Sequence, residues 1–179
     1  PKGKFVYIVN AQSKVEPRAA FGGPTNTGLR AYVVYERFDA SNQRDVYLRR
    51  STDGGVTWGG AVLVETVSTA TYDALFARLS VKPGAAIGNN DTVVVCWERI
   101  ALTGATRPNV RCNRSTDSGA TFGSDVQVNT TADVAIVPDL ATDNTYAYVP
   151  WQQGDSIRVA RAPLSGTFAF ATETALNTL

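Results

Sequence analysis

The 179-residue chain contains no histidine and no methionine, and only two cysteines. Without histidine neither a Ser-His-Asp nor a Cys-His nucleophile can be assembled, and no imidazole is available to a metal. Two cysteines alone do not close a zinc site, so neither a metal nor a cofactor is expected. Any catalysis would fall to carboxylates, Tyr, Lys or Arg. The net charge is only +1, with no basic run and no interleaving of aromatic and basic residues, which argues against a nucleic-acid partner. No apolar stretch reaches the length of a membrane-spanning helix. No segment sustains a 3.6-residue apolar period between caps, so helices are not expected. The chain opens at Pro1 without a visible leader, which reads as a processed or truncated start.

What is present begins with a repeat. Residues 49–58 read Arg-Arg-Ser-Thr-Asp-Gly-Gly-Val-Thr-Trp, and residues 113–122 read Asn-Arg-Ser-Thr-Asp-Ser-Gly-Ala-Thr-Phe. The shared positions are Arg50/Arg114, Ser51/Ser115, Thr52/Thr116, Asp53/Asp117, Gly55/Gly119 and Thr57/Thr121, with Trp58 matched by Phe122. Ser and Asp side chains capture nearby backbone N–H groups and hold a tight reversal. Gly55 and Gly119 supply backbone angles that other residues resist. The Thr-aromatic close returns the chain to a strand and packs a ring.

The repeat extends well beyond these turns. In the first unit, strands are expected at Arg18–Phe21, Ala31–Phe38, Val46–Arg50 and Ala61–Val67, with a turn at Gly22–Gly28 and a polar loop at Asp39–Asp45. The second repeats them at Arg78–Val81, Thr92–Ile100, Asn109–Arg114 and Val126–Thr130, with a turn at Gly88–Asp91 and a loop at Ala101–Pro108. The third gives Asp139–Thr142, Tyr146–Gln152, Ile157–Arg161 and Thr172–Leu176, with turns at Asp143-Asn144 and Gly154-Asp155. Its Ser165-Gly166-Thr167-Phe168 keeps only the end of the repeated turn. Lys4–Val9 reads as the last strand of a preceding unit. Tyr35-Glu36-Arg37 aligns with Trp97-Glu98-Arg99 and Trp151-Gln152-Gln153. The aromatics read as core rings between units, and the repeated Glu-Arg pairs as ion pairs or strand-end caps. Units of four strands and about 45–60 residues are what propeller blades look like in sequence.

The Ser-x-Asp-x-Gly-x-Thr-[Trp/Phe] pattern resembles the Asp box, or BNR repeat, of sialidase-like β-propellers. The resemblance implies an all-β propeller of four-stranded antiparallel blades, at about 15–67, 75–131 and 135–179, within one domain or part-domain over 1–179. In that family the box is a structural device lying away from the ligand. Three blades are fewer than the four to eight of a closed propeller, so two blade faces need covering, by a second copy or by further blades of a parent protein.

By the same resemblance the ligand face holds the loops between the second and third strands, with crossovers Ser68–Ala77 and Asn129–Pro138. Arg18, Arg78 and Asp139 occupy equivalent positions at the innermost strand, and two guanidiniums with a carboxylate there suit an anionic or sugar ligand. The plainer reading makes them solvated rim residues, ion-paired between blades. Tyr72-Asp73 is the nearest match to a sialidase's Tyr nucleophile and acid. The family's Arg-Ile-Pro motif is replaced by Arg18-Ala19-Ala20, and Asp139 stands where a third arginine would be. The expected function is therefore a non-catalytic module of a secreted, surface or periplasmic protein that binds a glycan or protein. The alternative is part of a sialidase-like glycoside hydrolase completed by further blades or a second copy. Cys96 and Cys112 fall roughly opposite each other across a hairpin, as a disulfide or as two buried thiols. Asn90, Asn113 and Asn129 stand in N-x-[ST] contexts.

Overall fold

The computed structural model describes residues 17–22, 30–39, 42–66, 71–86, 90–104 and 107–177; the expected strand at 4–9 lies outside them. Every regular element among these residues is a strand, and the strands form three antiparallel sheets with no closed barrel. The first sheet runs in order β1 (Arg18–Gly22), β2 (Arg30–Phe38), β3 (Arg44–Ser51) and β4 (Val62–Leu63). The second is β5 (Tyr72–Lys82), β6 (Thr92–Ala101), β7 (Asn109–Ser115) and β8 (Val126–Gln127). The third contains β9 (Ala135–Ile136), β10 (Ala141–Thr142), β11 (Tyr146–Gln153), β12 (Ser156–Pro163) and β13 (Thr174–Ala175), with β9 and β10 both paired to β11.

The hydrophobic pattern of each second strand states its place in the stack. β2 and β11 alternate buried and half-exposed residues, whereas Val93–Glu98 of β6 is buried without interruption. A strand covered on both faces reads as a continuous apolar run. Accordingly Val93, Val95 and Trp97 pack with Tyr32, Val34, Val46 and Leu48 of the first sheet. Val94, Cys96, Val110 and Cys112 pack with Ala147, Val149 and Trp151 of the third. Trp97 and Trp151 are the core rings expected of them. Tyr35 is not: it lies half-buried on the outer face of the first sheet, stacked on Tyr47 with ring centroids 6.1 Å apart.

Several boundaries differ from the sequence reading. β5 begins at Tyr72, so most of the expected Ser68–Ala77 crossover is strand, and the second unit starts before residue 75. Its ladder to β6 slips between Leu75 and Arg78, where Phe76 adopts φ 55°. The third sheet breaks at the same place: Val137, φ 51°, separates β9 from β10. A bulged first strand is therefore a repeated feature, widened to a gap in the third sheet. Fourth strands are shorter than expected, although Val64 N–H still donates to Val46 O and Val128 N–H to Val110 O, both at 2.9 Å.

Adjacent sheets are fastened by contacts that recur. The Glu36 carboxylate accepts from Ala77 N–H of the second sheet (3.2 Å), and Glu98 from Val137 N–H of the third (3.1 Å). Arg37 and Arg99 take a separate job, lying over the Tyr47 and Tyr72 rings at 4.0 and 3.8 Å. Of the two readings of the repeated Glu-Arg pairs, ion pair or cap, the glutamates act as backbone caps between sheets and the arginines make cation–π contacts. Asp125, held by Arg111, accepts from Thr66 N–H of the first sheet. Glu173, held by Arg158, accepts from Thr130 N–H of the second. Burial pushes the Asp125 carboxyl up, but the bonds from Thr66 and Arg111 outweigh it and leave it below the ordinary range.

Cys96 faces Cys112 directly in the β6–β7 ladder and the two form a disulfide, which settles the alternative left open by spacing. Closing a loop of this size stabilises by about 3 kcal/mol in the chain-entropy model.

Candidate functional site

Strand topology divides the connections between two edges of the stack. On one edge Ser118 N–H donates to Asp91 O (3.1 Å), placing the turn after β5 beside the Ser115–Thr121 turn. On the other, Leu102 N–H donates to Thr71 O and Ala135 N–H to Pro108 O, placing the β6–β7 loop beside the chain crossings.

The innermost strands lie side by side, with Ser80 of β5 bonded to Thr142 of β10 at 2.8 Å. Arg18 pairs with Val34, Arg78 pairs with Cys96, and Asp139 N–H donates to Pro150 O. Each partner precedes the aligned aromatic, Tyr35, Trp97 or Trp151, so the three residues occupy one register in three sheets. They line an open cleft of about 460 Å³ floored by Ala19, Leu79, Val137 and Pro138. Arg78 lies well inside β5, so the cleft runs along the strands rather than at a loop mouth.

The electrostatics are uneven. The Arg78 side chain is 16% exposed and donates to Phe76 O and Ala77 O, both at 3.3 Å, which fixes the guanidinium on its own bulge. Asp139 lies 3.8 Å from it with a side chain 77% exposed. Such a long, solvated pair contributes little, and the plainer reading of an ion pair between sheets holds to that extent. A β-branched residue such as Val137, at φ 51°, is strained in the left-handed region, and it belongs to the cleft floor.

Tyr72 and Asp73 are not brought into the cleft. The Asp73 carboxylate takes Arg44 through its backbone N–H (2.9 Å) and its guanidinium (3.1 Å), and Tyr72 carries Arg99 on its ring. They belong to a polar seam between the first and second sheets. That seam also contains Glu65, missed by the sequence reading, whose carboxyl accepts from Val46 N–H at 2.8 Å and is pushed by burial up to about 8. Its counterpart Asn129 accepts from Val110 N–H at 3.0 Å. The only signal for it was this shared position after Val64 and Val128, and the two residue types differ.

The repeated turns behave as designed by their residues. Ser51 Oγ donates to Asp53 (2.6 Å) and accepts from Gly55 N–H (2.8 Å), while Thr57 donates to Asp53 through both N–H and Oγ1. Ser115, Asp117, Gly119 and Thr121 reproduce the set. Phe122 packs on the core between the first two sheets, and the Trp58 ring lies over Gly55. Asn113 donates to Val64 O and Gly123 O, and buried Asn129 caps Val110, so both are engaged in the fold; Asn90 is exposed. No three His, Cys, Asp or Glu residues gather as a metal site among the described residues, and no helix among them is long and apolar enough to cross a membrane.

No protein-family model matches the chain, and no curated protein matches it in sequence. Among solved structures it is similar to a protein of unknown function from Dyadobacter fermentans DSM 18053, at 20% identity and a TM-score of 0.57. The likeness covers 83% of this chain and 39% of that one, so this chain spans well under half of its length. At that identity the likeness is one of fold alone.

Proposed function

We propose that the chain is a three-blade portion of an Asp-box β-propeller that binds, without catalysis, an acidic group of a glycan or protein through Arg18 and Arg78. The observation that carries this reading is the convergence of Arg18, Arg78 and Asp139, from equivalent registers of three sheets, on one open cleft. Arg78 is already oriented by its own backbone, so little freedom is lost when it grips a carboxylate with two parallel bonds. A ligand carboxylate would displace the solvated Asp139 from it at small cost. Glycoside hydrolysis needs two placed carboxylates, and Asp139 is the one carboxylate among the residues lining the cleft. The Cys96–Cys112 disulfide favours an extracellular, surface or periplasmic setting.

Calorimetric titration with sialylated and uronate oligosaccharides tests the reading. Arg18→Ala and Arg78→Ala should each weaken binding by about tenfold or more, and Asp139→Asn should strengthen it. Binding indifferent to both arginines overturns the site. Turnover of a fluorogenic sialoside that both substitutions abolish overturns the non-catalytic reading in favour of the hydrolase.

A further inference from the structure

The contacts between sheets have a direction. The Tyr32–Val34 face of the first sheet covers the Val95–Trp97 face of the second, and the Val94–Cys96 face of the second covers the Val149–Trp151 face of the third. Each time an arginine preceding the repeated turn reaches forward. Arg50 donates to Asp117 O (3.3 Å) and Ser118 O (3.2 Å), and Arg114 donates to Pro163 O (3.1 Å) and Gly166 O (2.7 Å). Among the described residues two unlike outer faces remain. On the β11–β12 face, Arg161 stands where Arg50 and Arg114 stand, exposed and 4.4 Å over the Tyr146 ring, beside half-buried Tyr148, Pro150 and Val159. On the β2–β3 face lie Val33, Tyr35 and Tyr47, with the Asp53–Val56 turn projecting and Val56 81% exposed.

We infer that copies of this chain join head to tail, the β11–β12 face of one covering the β2–β3 face of the next, with Arg161 donating to backbone carbonyls of the neighbour's Asp53–Gly54 turn. The inference rests on the stacked-blade part of the reading above and not on its ligand. Two observations favour a second copy as the occupant. The junction continues, in the same sense, a contact made twice within the chain. The end faces carry half-buried Tyr35 and Tyr47 on one side and Tyr146, Tyr148, Pro150 and exposed Arg161 on the other; aromatic and Arg residues are favoured where folded molecules meet. The carboxylate pin of Asp125 and Glu173 is absent there, since Ala61 and Tyr47 occupy the places of Asp125 and Arg111. The junction therefore relies on Arg161 and the tyrosines. Because the two surfaces differ, the contact closes into a ring or grows, according to its rotation.

Sedimentation of the purified chain at rising concentration is expected to show species of twice the monomer mass or more. Arg161→Glu should raise the concentration needed for association by about tenfold or more, with an unchanged circular dichroism spectrum. A Gly54→Cys chain mixed with an Arg161→Cys chain should form an intermolecular disulfide that neither variant forms alone. A monomer at every concentration overturns the inference. So does association that Arg161→Glu leaves unchanged, or either cysteine variant linking to itself. Oligosaccharide binding is read separately: its loss with association intact fails only the ligand reading, and the converse fails only this one.

Discussion

The Ser51–Thr57 and Ser115–Thr121 turns are chemically the same object in two different surroundings. Their internal bonds agree within 0.1 Å, with Gly N–H to Ser Oγ at 2.8 Å in both. Yet Asp53 and Gly54 stand in solvent, while Ser118 is 4% exposed beneath the first sheet. The Asp53 carboxyl is held below its ordinary range by Ser51 and then Thr57. For Asp117 burial pushes upward, and the bonds from Thr121, Ser115 and Ala120 together overcome it. The turn's shape is thus local, whereas its cover comes from the preceding sheet through Arg50. The third turn sharpens the lesson: Ser165-Gly166-Thr167 has lost the Ser-x-Asp opening but is still fastened, because Arg114 arrives from outside.

The largest break between the two turns should come at their glycines. Both have positive φ, 92° at Gly55 and 73° at Gly119. A Cβ on Gly55 meets only Trp58 at 3.7 Å, but one on Gly119 lies 2.7 Å from the Leu48 side chain. Urea denaturation should therefore show Gly119→Ala costing about 3 kcal/mol and Gly55→Ala about 1. Equal costs would mean that the cover over the second turn is not tight.

A smaller effect should distinguish Glu65 from Asn129, which do one job with different chemistry. Glu65 keeps its proton in the folded chain up to about 8 against an ordinary value of 4.5. Between those values the unfolded chain releases a proton that the folded chain retains, so stability falls as pH rises through that window. Glu65→Gln preserves an acceptor for Val46 N–H, as Asn129 provides for Val110. It should flatten the decline and add roughly 2 kcal/mol at pH 8. An unchanged slope between pH 5 and 8 would show that another group governs it.

The smallest difference expected is between the forward-reaching arginines. Arg50→Ala or Arg114→Ala should lower stability by about 1 to 2 kcal/mol by leaving turn carbonyls unpaired. Arg161→Ala should stay within about 0.5 kcal/mol at dilutions where the chain is single. Thermal melts of the three side by side would reveal whether the internal pins and the open one differ as their surroundings do.

Much of this was legible in the residues. The repeated turns, the four-strand units of the first two sheets, the lack of helices among the described residues and the common register of Arg18, Arg78 and Asp139 all follow from local chemistry and alignment. Within the expected Ser68–Ala77 crossover, Tyr72–Ala77 is strand, and the left-handed residue at Phe76 interrupts the two-residue alternation that marks a strand in sequence. Asp125 and Glu173 leave no local trace because the Thr66 and Thr130 N–H groups they answer to lie in other units and the residue types differ between repeats. Tyr35 looked like Trp97 in sequence, but only a neighbouring sheet makes such a ring into core. Pairing within a unit leaves a periodic trace; contact between units leaves only a scatter of single side chains.

The Cys96–Cys112 bridge sits wholly inside the layer shared by the second and third sheets, both sulfur-bearing residues fully shielded from water. A small thiol in solution cannot reach it while Val149 and Trp151 stay in place. The pace at which a mild reductant opens this bond is therefore a clock for how often those two layers part, a native gauge of breathing that needs no added label.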